Sequence, residues 1–270
     1  MSDNKTWIKA YKGFDKDLKC RDFQYEIGKT YKEPTADLCK SGFHACEYPL
    51  DVFNYYSPGS MSRYCEVDLD DVSPIMDSSD SKRCGKKIAV KAEIGIAGLV
   101  KAAVEYTMEK TTPEESEHAT GEQGAASATG ERGAASATGW QGAASATGWH
   151  GAASATGWQG AASATGRQGA ASATGRQGAA SATGWQGAAS ATGWQGAASA
   201  TGKESVASSL GIDGKASGAL GCWLVLAEWG KDEKENWHRK DVKCFYIDGE
   251  IIKPDTWYKL KNGKLVPADD

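Results

Sequence analysis

The side chains able to do chemistry fall in two places. Near the N-terminus, Cys39, His44 and Cys46 follow a Cys-x4-His-x-Cys spacing, with Cys20 upstream. These are soft ligands of the kind that zinc takes. The spacing is not that of a C-x2-C knuckle, and cysteines buried in a β-core are the commoner meaning of such a set. Neither a metal nor a cofactor is expected. His44 with Glu66 could form an acid–base pair, against the plainer alternative of a histidine satisfied by a neighbouring strand. The second place is a row that recurs every ninth residue: Glu122, Glu131, Trp140, Trp149, Trp158, Arg167, Arg176, Trp185 and Trp194. A position that accepts Trp, Arg and Glu alike belongs on a surface, so five tryptophans are expected to face solvent. Rows of exposed tryptophan are costly in solubility and mark interaction sites. Stacking between neighbours along an edge is the alternative reason for them.

The element that must position this row is a repeat. Residues 119–199 are nine consecutive copies of A-T-G-x-x-G-A-A-S, and they hold 18 of the 33 glycines. A flexible linker needs composition but not register, and here the register holds throughout. Helix is disfavoured because each glycine costs about 1 kcal/mol relative to alanine. Collagen needs glycine at every third residue, which this spacing does not supply. A β-solenoid fits. A-A-S-A-T alternates faces as a strand must, and G-x-x-G supplies a turn with glycine where positive φ is needed. One strand and one turn cannot close a coil, whereas two units can, at 18 residues per coil. A three-unit triangular coil would leave a bore that Ala, Ser and Thr cannot fill. The expectation is a thin two-sided β-roll, with two degenerate copies, Ala200–Ser208 and Ser209–Ser217, at its end.

With this period the tryptophans sort onto two edges. One carries Glu122, Trp140, Trp158, Arg176 and Trp194, the other Glu131, Trp149, Arg167 and Trp185. The next position is Gln123, Arg132, Gln141, His150, Gln159, Gln168, Gln177, Gln186 and Gln195, which suggests a ladder of amide-to-amide hydrogen bonds. No calcium-binding G-G-x-G-x-D motif is present in the perfect copies.

The fold class expected is mostly β: a central β-solenoid between an N-terminal α+β domain and a small C-terminal β segment. The boundaries are residues 1–118, 119–217 and 218–270. In the first segment Phe23–Ile27, Gly42–Cys46, Arg63–Leu69 and Lys87–Ile94 read as strands. Pro49–Tyr56 and Ala97–Lys110 read as helices, and Thr111–His118 as a linker or cap. In the last segment Cys222–Trp229, Val242–Ile247 and Trp257–Leu260 read as strands, with Asp248-Gly249 and Asn262-Gly263 as turns. Fifty-odd residues are too few for a core of their own, so this segment should pack on the last coil through Trp223, Leu224 and Leu226. Each flank should cap one end of the solenoid.

The net charge of −4 excludes a generally basic nucleic-acid binder. No apolar run is long enough for a membrane helix, and the N-terminus lacks a signal-peptide pattern. An odd number of cysteines, seven, and no export signal point to reduced thiols in a cytoplasm.

Several motifs in the first segment carry a resemblance. They are Tyr11-Lys12-Gly13-Phe14, Gly42-Phe43-His44-Ala45-Cys46, Pro49-Leu50-Asp51-Val52-Phe53-Asn54-Tyr55-Tyr56 and Arg63-Tyr64-Cys65-Glu66-Val67. This pattern resembles an uncharacterised domain common in phage and prophage proteins, where S-A-T-G repeats and a Trp-Leu-Val-Leu-Ala-Glu-Trp strand often follow. The S-A-T-G rhythm is also similar to the β-roll heads of trimeric bacterial adhesins. Gly42–Ala45 with Tyr64–Leu69 is similar to ADP-ribosyltransferase-like domains, which would imply an enzyme with His44 and Glu66 as candidate catalytic residues. The early strand, Tyr11-Lys12-Gly13, lacks the nucleotide-holding His of those domains.

The function expected is that of a non-enzymatic, phage-derived binding or scaffolding protein in the cytoplasm of a bacterial host. It would be an inhibitor of a host system or a virion component. The expected binding residues are Trp140, Trp149, Trp158, Arg167, Arg176, Trp185 and Trp194. The partner expected is a protein, with a carbohydrate or nucleotide stacked on the indoles as the alternative. Homo-oligomerisation through the solenoid is a further expectation.

Overall fold

The computed structural model describes residues 7–58, 62–74, 80–110 and 116–268. The chain forms two compact units, Met1–Leu99 and Val100–Asp270. The C-terminal segment therefore belongs with the solenoid.

The first unit is built on a five-stranded sheet of order β4-β7-β5-β1-β6. Its strands are β1 (Ile8–Phe14), β4 (Thr30–Lys32), β5 (Phe43–Cys46), β6 (Arg63–Val72) and β7 (Lys82–Glu93), with a separate ribbon of β2 (Lys19–Cys20) and β3 (Phe23–Gln24). All the pairings in the sheet are antiparallel. Ala10, Phe14, Phe43, Ala45, Val67 and Ile88 lie in one core. Sequence reading touched β1 only at Tyr11-Lys12-Gly13, missed β4 and overextended β3. The short helix expected at Pro49–Tyr56 is a 3-10 helix over Pro49–Asn54. Proline starts it, but at six residues it is too short for α-helical cooperativity. Helix α1 (Ile96–Lys110) closely matches the expectation.

The solenoid has the expected two-sided form. Its strands begin with β8 (Ser116–Thr120), β9 (Ala125–Thr129) and β10 (Ala134–Thr138), recur every nine residues, and end with β18 (Val206–Ser209), β19 (Lys215–Gly218) and β20 (Trp223–Lys231). Even-numbered strands form one parallel sheet and odd-numbered strands the other. Each residue pairs with its counterpart 18 positions on, as in Ala143↔Ala161, until the last step, where β18 meets β20 at an offset of 17, as in Val206↔Trp223. About six turns span residues 116–226. The array thus starts before the first perfect copy and continues beyond the degenerate ones. Of the segment read as a linker or cap, Ser116–His118 lies in β8, the first strand of its solenoid sheet; residues 111–115 lie outside the described residues.

Between the sheets sits a column of alanine methyls, Ala126, Ala144, Ala162 and Ala180 against Ala135, Ala153, Ala171 and Ala189. Methyls bury little area, so the backbone ladder is the main source of cohesion. The first glycine of each turn allows the coils to close up. A Cβ on Gly157 would lie 1.6 Å from the Gly139 carbonyl oxygen of the preceding coil.

The turns change form along the array. The N–H groups of Gln141, His150, Gln159 and Gln168 donate to the coil before them, whereas those of Gln177, Gln186 and Gln195 donate to the coil after them. From Gln177 onward this residue takes a left-handed φ of 54 to 62°. The two sheets also differ outside. Ala134, Ala152, Ala170 and Ala188 are fully buried, while Ala125, Ala143, Ala161 and Ala179 at the same place in the odd strands are exposed.

At the far end β20 pairs in parallel with β18. β21 (Trp237–Tyr246) then returns antiparallel along β20, and β22 (Tyr258–Lys261) and β23 (Lys264–Pro267) extend the other sheet. Leu224, Leu226, Ile247, Tyr258 and Leu260 join the alanine core. They supply the large side chains that the array lacks. Leu224 and Leu226 point inward as expected, but Trp223 does not. It lies on the opposite face of β20 against Tyr246, with ring centroids 4.8 Å apart. Asn262-Gly263 forms the β22–β23 turn, with positive φ at both residues. Asp248-Gly249 instead carries the chain from one sheet to the other. The Asp248 carboxylate accepts from the N–H groups of Glu250, Ile251 and Ile252, each at 2.9 Å.

Candidate functional sites: the solenoid edges and a split in the N-terminal sheet

The variable positions lie on the two solenoid edges, as the 18-residue period requires. On the first edge Trp140 and Trp158 stack with centroids 5.1 Å apart and planes 2° from parallel. The Arg176 guanidinium then lies between Trp158, at 4.7 Å, and Trp194, at 5.6 Å. Trp237, from β21, meets Trp194 edge-on at 5.6 Å and lengthens the column. On the second edge Arg167 sits between Trp149, at 4.8 Å, and Trp185, at 4.4 Å. The Trp185 indole N–H donates to Glu204 at 3.0 Å.

These rings are exposed yet ordered by one another. Trp140 is 54% exposed and Trp194 38%. Their faces, however, are largely taken by the neighbours in the column. The columns present ring edges to solvent, and the open face needed to stack a sugar or base is confined to the column ends. Beside the first column runs an amide ladder, Gln123 to Gln141 to Gln159 to Gln177 to Gln195, with N···O distances of 2.9 to 3.3 Å. Asp213 closes it, accepting from Gln195 at 3.2 Å and pairing with Lys259 at 2.6 Å. Burial pushes the Asp213 carboxyl up, but the hydrogen bonds from Lys259 and Gln195 and the Lys259 charge together outweigh it and hold the group below its ordinary range.

The second site lies within the first unit. β1 and β5 pair at one position, Tyr11↔Cys46. Beyond it β1 follows β6 and β5 follows β7, and a cleft of about 640 Å³ opens in the split. Lys12 comes from one lip and His44 from the other. Lys12 is 6% exposed. Its ammonium donates to the His44 carbonyl at 2.9 Å, a carbonyl that the parted ladder leaves open, and to Cys20 Sγ at 3.5 Å. It also lies over the rings of Phe14 and Tyr25, at 5.6 and 5.7 Å. Among the described residues no carboxylate pairs with it. Gly13 is glycine because Tyr56 packs on it: a Cβ there would stand 2.7 Å from that ring.

The candidate acid–base pair, His44 and Glu66, is not brought together. His44 lies in the cleft, half-buried, and its Nε2 accepts the Cys39 N–H at 2.9 Å, which leaves the ring proton on Nδ1. Burial, followed by the nearby charge of Lys12, pushes its pKa below the ordinary value, so the ring is neutral at pH 7. Glu66 lies two strands away on β6, outside the cleft lining, and pairs with Lys9 at 3.1 Å. The trio Cys39, His44 and Cys46 does not converge either. Cys39 is exposed and Cys46 buried, and burial pushes the Cys46 thiol well up. Among the described residues no group of three His, Cys, Asp or Glu side chains has a metal-holding arrangement.

Residues 8–102 match the model of a domain of unknown function, DUF7666. The DUF7666 segment takes in the whole five-stranded sheet and its cleft, and leaves the solenoid outside. No curated protein and no solved structure matches the chain.

Sequence reasoning missed Lys12 and Trp237. The signal for Lys12 was its place at a core-facing position in the alternation of Ile8, Ala10 and Phe14. Trp237 carries no local signal. It reaches the column only through the pairing of β21 with β20.

Proposed function

We propose that the chain is a non-enzymatic binding or scaffolding protein that engages a protein partner through the solenoid edge carrying Trp140, Trp158, Arg176, Trp194 and Trp237. The observation that carries this reading is the column itself. Its aromatic and guanidinium groups are exposed but already held in place by mutual contact. Trp and Arg dominate interface energies, and a side chain ordered before binding loses less entropy on association. The edge-on presentation suits a broad protein surface better than a sugar or base. Trp149, Arg167 and Trp185 offer a second, shorter stripe. The motifs of the DUF7666 segment suggest a phage-derived protein acting in the cytoplasm of a bacterial host, as an inhibitor of a host system or a virion component.

The test is quantitative co-purification of partners with the intact chain and with the triple variant Trp140→Ala, Trp158→Ala, Trp194→Ala. Circular dichroism should first show that the solenoid is retained. A partner recovered with the wild type and lost with the variant supports the reading. A partner recovered equally with both, and with the Trp149→Ala, Trp185→Ala variant, reduces the array to a spacer. Light scattering of the chain alone tests whether the partner is a second copy.

A further inference from the structure

We propose that the split between β1 and β5 is a binding site for a small organic anion carried on a flat ring, such as an aromatic phosphate, sulfonate or carboxylate, with Lys12 as its anchor. The inference is independent of the solenoid edges, since every residue lining the cleft lies between Tyr11 and Lys82.

Three observations converge. The first is the charge. An ammonium is costly to remove from water unless an opposite charge compensates it. Lys12 is 6% exposed, yet its partners are a carbonyl, a thiol and two ring faces. Two of its three donors are engaged, one only by the long contact to sulfur. An anion in the cleft would complete its shell.

The second is the shape and lining. At about 640 Å³ the cleft has the volume usual for small-molecule sites. Phe43 meets Phe23 and Tyr25 edge-to-face, and Phe23 and Tyr25 pack tilted, with centroids 4.7 to 6.2 Å apart, giving one apolar wall. Phe23, 38% exposed, leaves part of its ring open. Tyr11, Tyr55 and Tyr56 also line the cleft. A flat ring fits between such groups, while a bare inorganic anion would leave them in water.

The third is the rim. Arg21, Lys40 and Lys82 stand there against Asp22 and Glu33. Lys40 is paired with Asp37 at 3.1 Å, and Lys82 donates to the Tyr55 hydroxyl at 2.9 Å. Arg21 makes no hydrogen bond or ion pair among the described residues, so its guanidinium is available to the same anion from the solvent side.

The experiment uses the full chain and a matched pair of fluorescent probes, 8-anilinonaphthalene-1-sulfonate and its uncharged relative N-phenyl-1-naphthylamine. The sulfonate should bind one site per chain more tightly than the neutral probe. Lys12→Met should weaken sulfonate binding at least tenfold and leave neutral-probe binding within twofold. Arg21→Ala, at an exposed position, should weaken the sulfonate severalfold and keeps the test open if the Lys12 variant does not fold. Equal sulfonate affinity for the wild type and either folded variant would overturn the proposal. So would an equal loss of both probes, no preference of the wild type for the sulfonate, or displacement of the sulfonate by an equal concentration of inorganic phosphate.

Discussion

The two glycines of each G-x-x-G turn differ in their role, and alanine substitution should separate them. In the turn Gly157-Trp158-Gln159-Gly160, a Cβ on Gly157 would stand 1.6 Å from the Gly139 carbonyl oxygen, whereas a Cβ on Gly160 would come no closer than 3.2 Å to the Ala155 methyl and 3.3 Å to the Ala155 backbone. Relieving the first contact means lifting one coil from the next by about a third of the roughly 4.8 Å strand spacing. The local bonds across that gap are Gly139 N–H to Thr156, Gln159 N–H to Trp140 and Ala161 N–H to Gly142, at 3.0, 2.9 and 2.8 Å. At about 1 kcal/mol net for each bond, they contribute roughly 3 kcal/mol. Gly157 also has φ of 152°, where a side chain adds about 1–2 kcal/mol of strain. Gly157→Ala should therefore destabilise by about 4–5 kcal/mol. Gly160→Ala, a tight but yielding contact, should cost no more than about 1 kcal/mol. Urea denaturation followed by far-ultraviolet circular dichroism measures both. Equal effects, or a Gly157→Ala loss below about 1 kcal/mol, would refute the close-stacking account of the turn.

Other outcomes follow from the same geometry. Trp158→Ala loses a stacked indole and a guanidinium contact and should destabilise by about 1–2.5 kcal/mol, with Trp158→Arg costing less; chemical denaturation would show the order. Lys12→Met removes a buried ammonium without a carboxylate partner, so its melting temperature should equal or exceed that of the wild type; a clear fall would give Lys12 a stabilising role. His44 has a depressed pKa in the fold, so the unfolded chain takes up its proton first. Its contribution is complete above about pH 6.5 and is lost as the pH falls from there towards the folded value; melting curves at pH 7.5 and 5 should show a drop that His44→Gln reduces. Cys39 is exposed, while burial pushes the Cys65 and Cys84 thiols to about 11 and Cys244 to about 12. Iodoacetamide at pH 7.5 should label Cys39 well before those three, as read by peptide mass spectrometry.

The solenoid was legible because its rule is local and is restated every nine residues. Alternation in A-A-S-A-T, glycine in the turn and the smallness of alanine together determine strand, turn and coil. Which tryptophans would share an edge followed from arithmetic on that period. That their faces would be covered by one another did not, since this depends on rotamers. The cleft was illegible for a different reason. It comes from a pairing that stops, Tyr11 with Cys46 and no further, and the end of a long-range ladder leaves no mark in either segment. Lys12 reads as an ordinary strand lysine until β5 parts from its strand. Trp223 was placed on the wrong face because apolar bulk was taken for burial, whereas the alternation set by Leu224 and Leu226 turns it outward.

The difference between the two sheets bears on how such an array can change length. The repeats that build the sheets are identical, so only position in the coil decides whether an outward alanine is buried, as Ala152 is, or exposed, as Ala143 is. Gain or loss of a single nine-residue copy would turn everything downstream by half a coil. Every later strand would change sheets, the two tryptophan edges would exchange members, and β20 would arrive beneath the odd strands, where β22 now pairs with β19. Two copies restore the phase. Copy number is therefore free to drift in even steps and strongly resisted in odd ones, even though the recombining unit in the sequence is a single nonapeptide. Viable length variants should differ from one another by multiples of 18 residues.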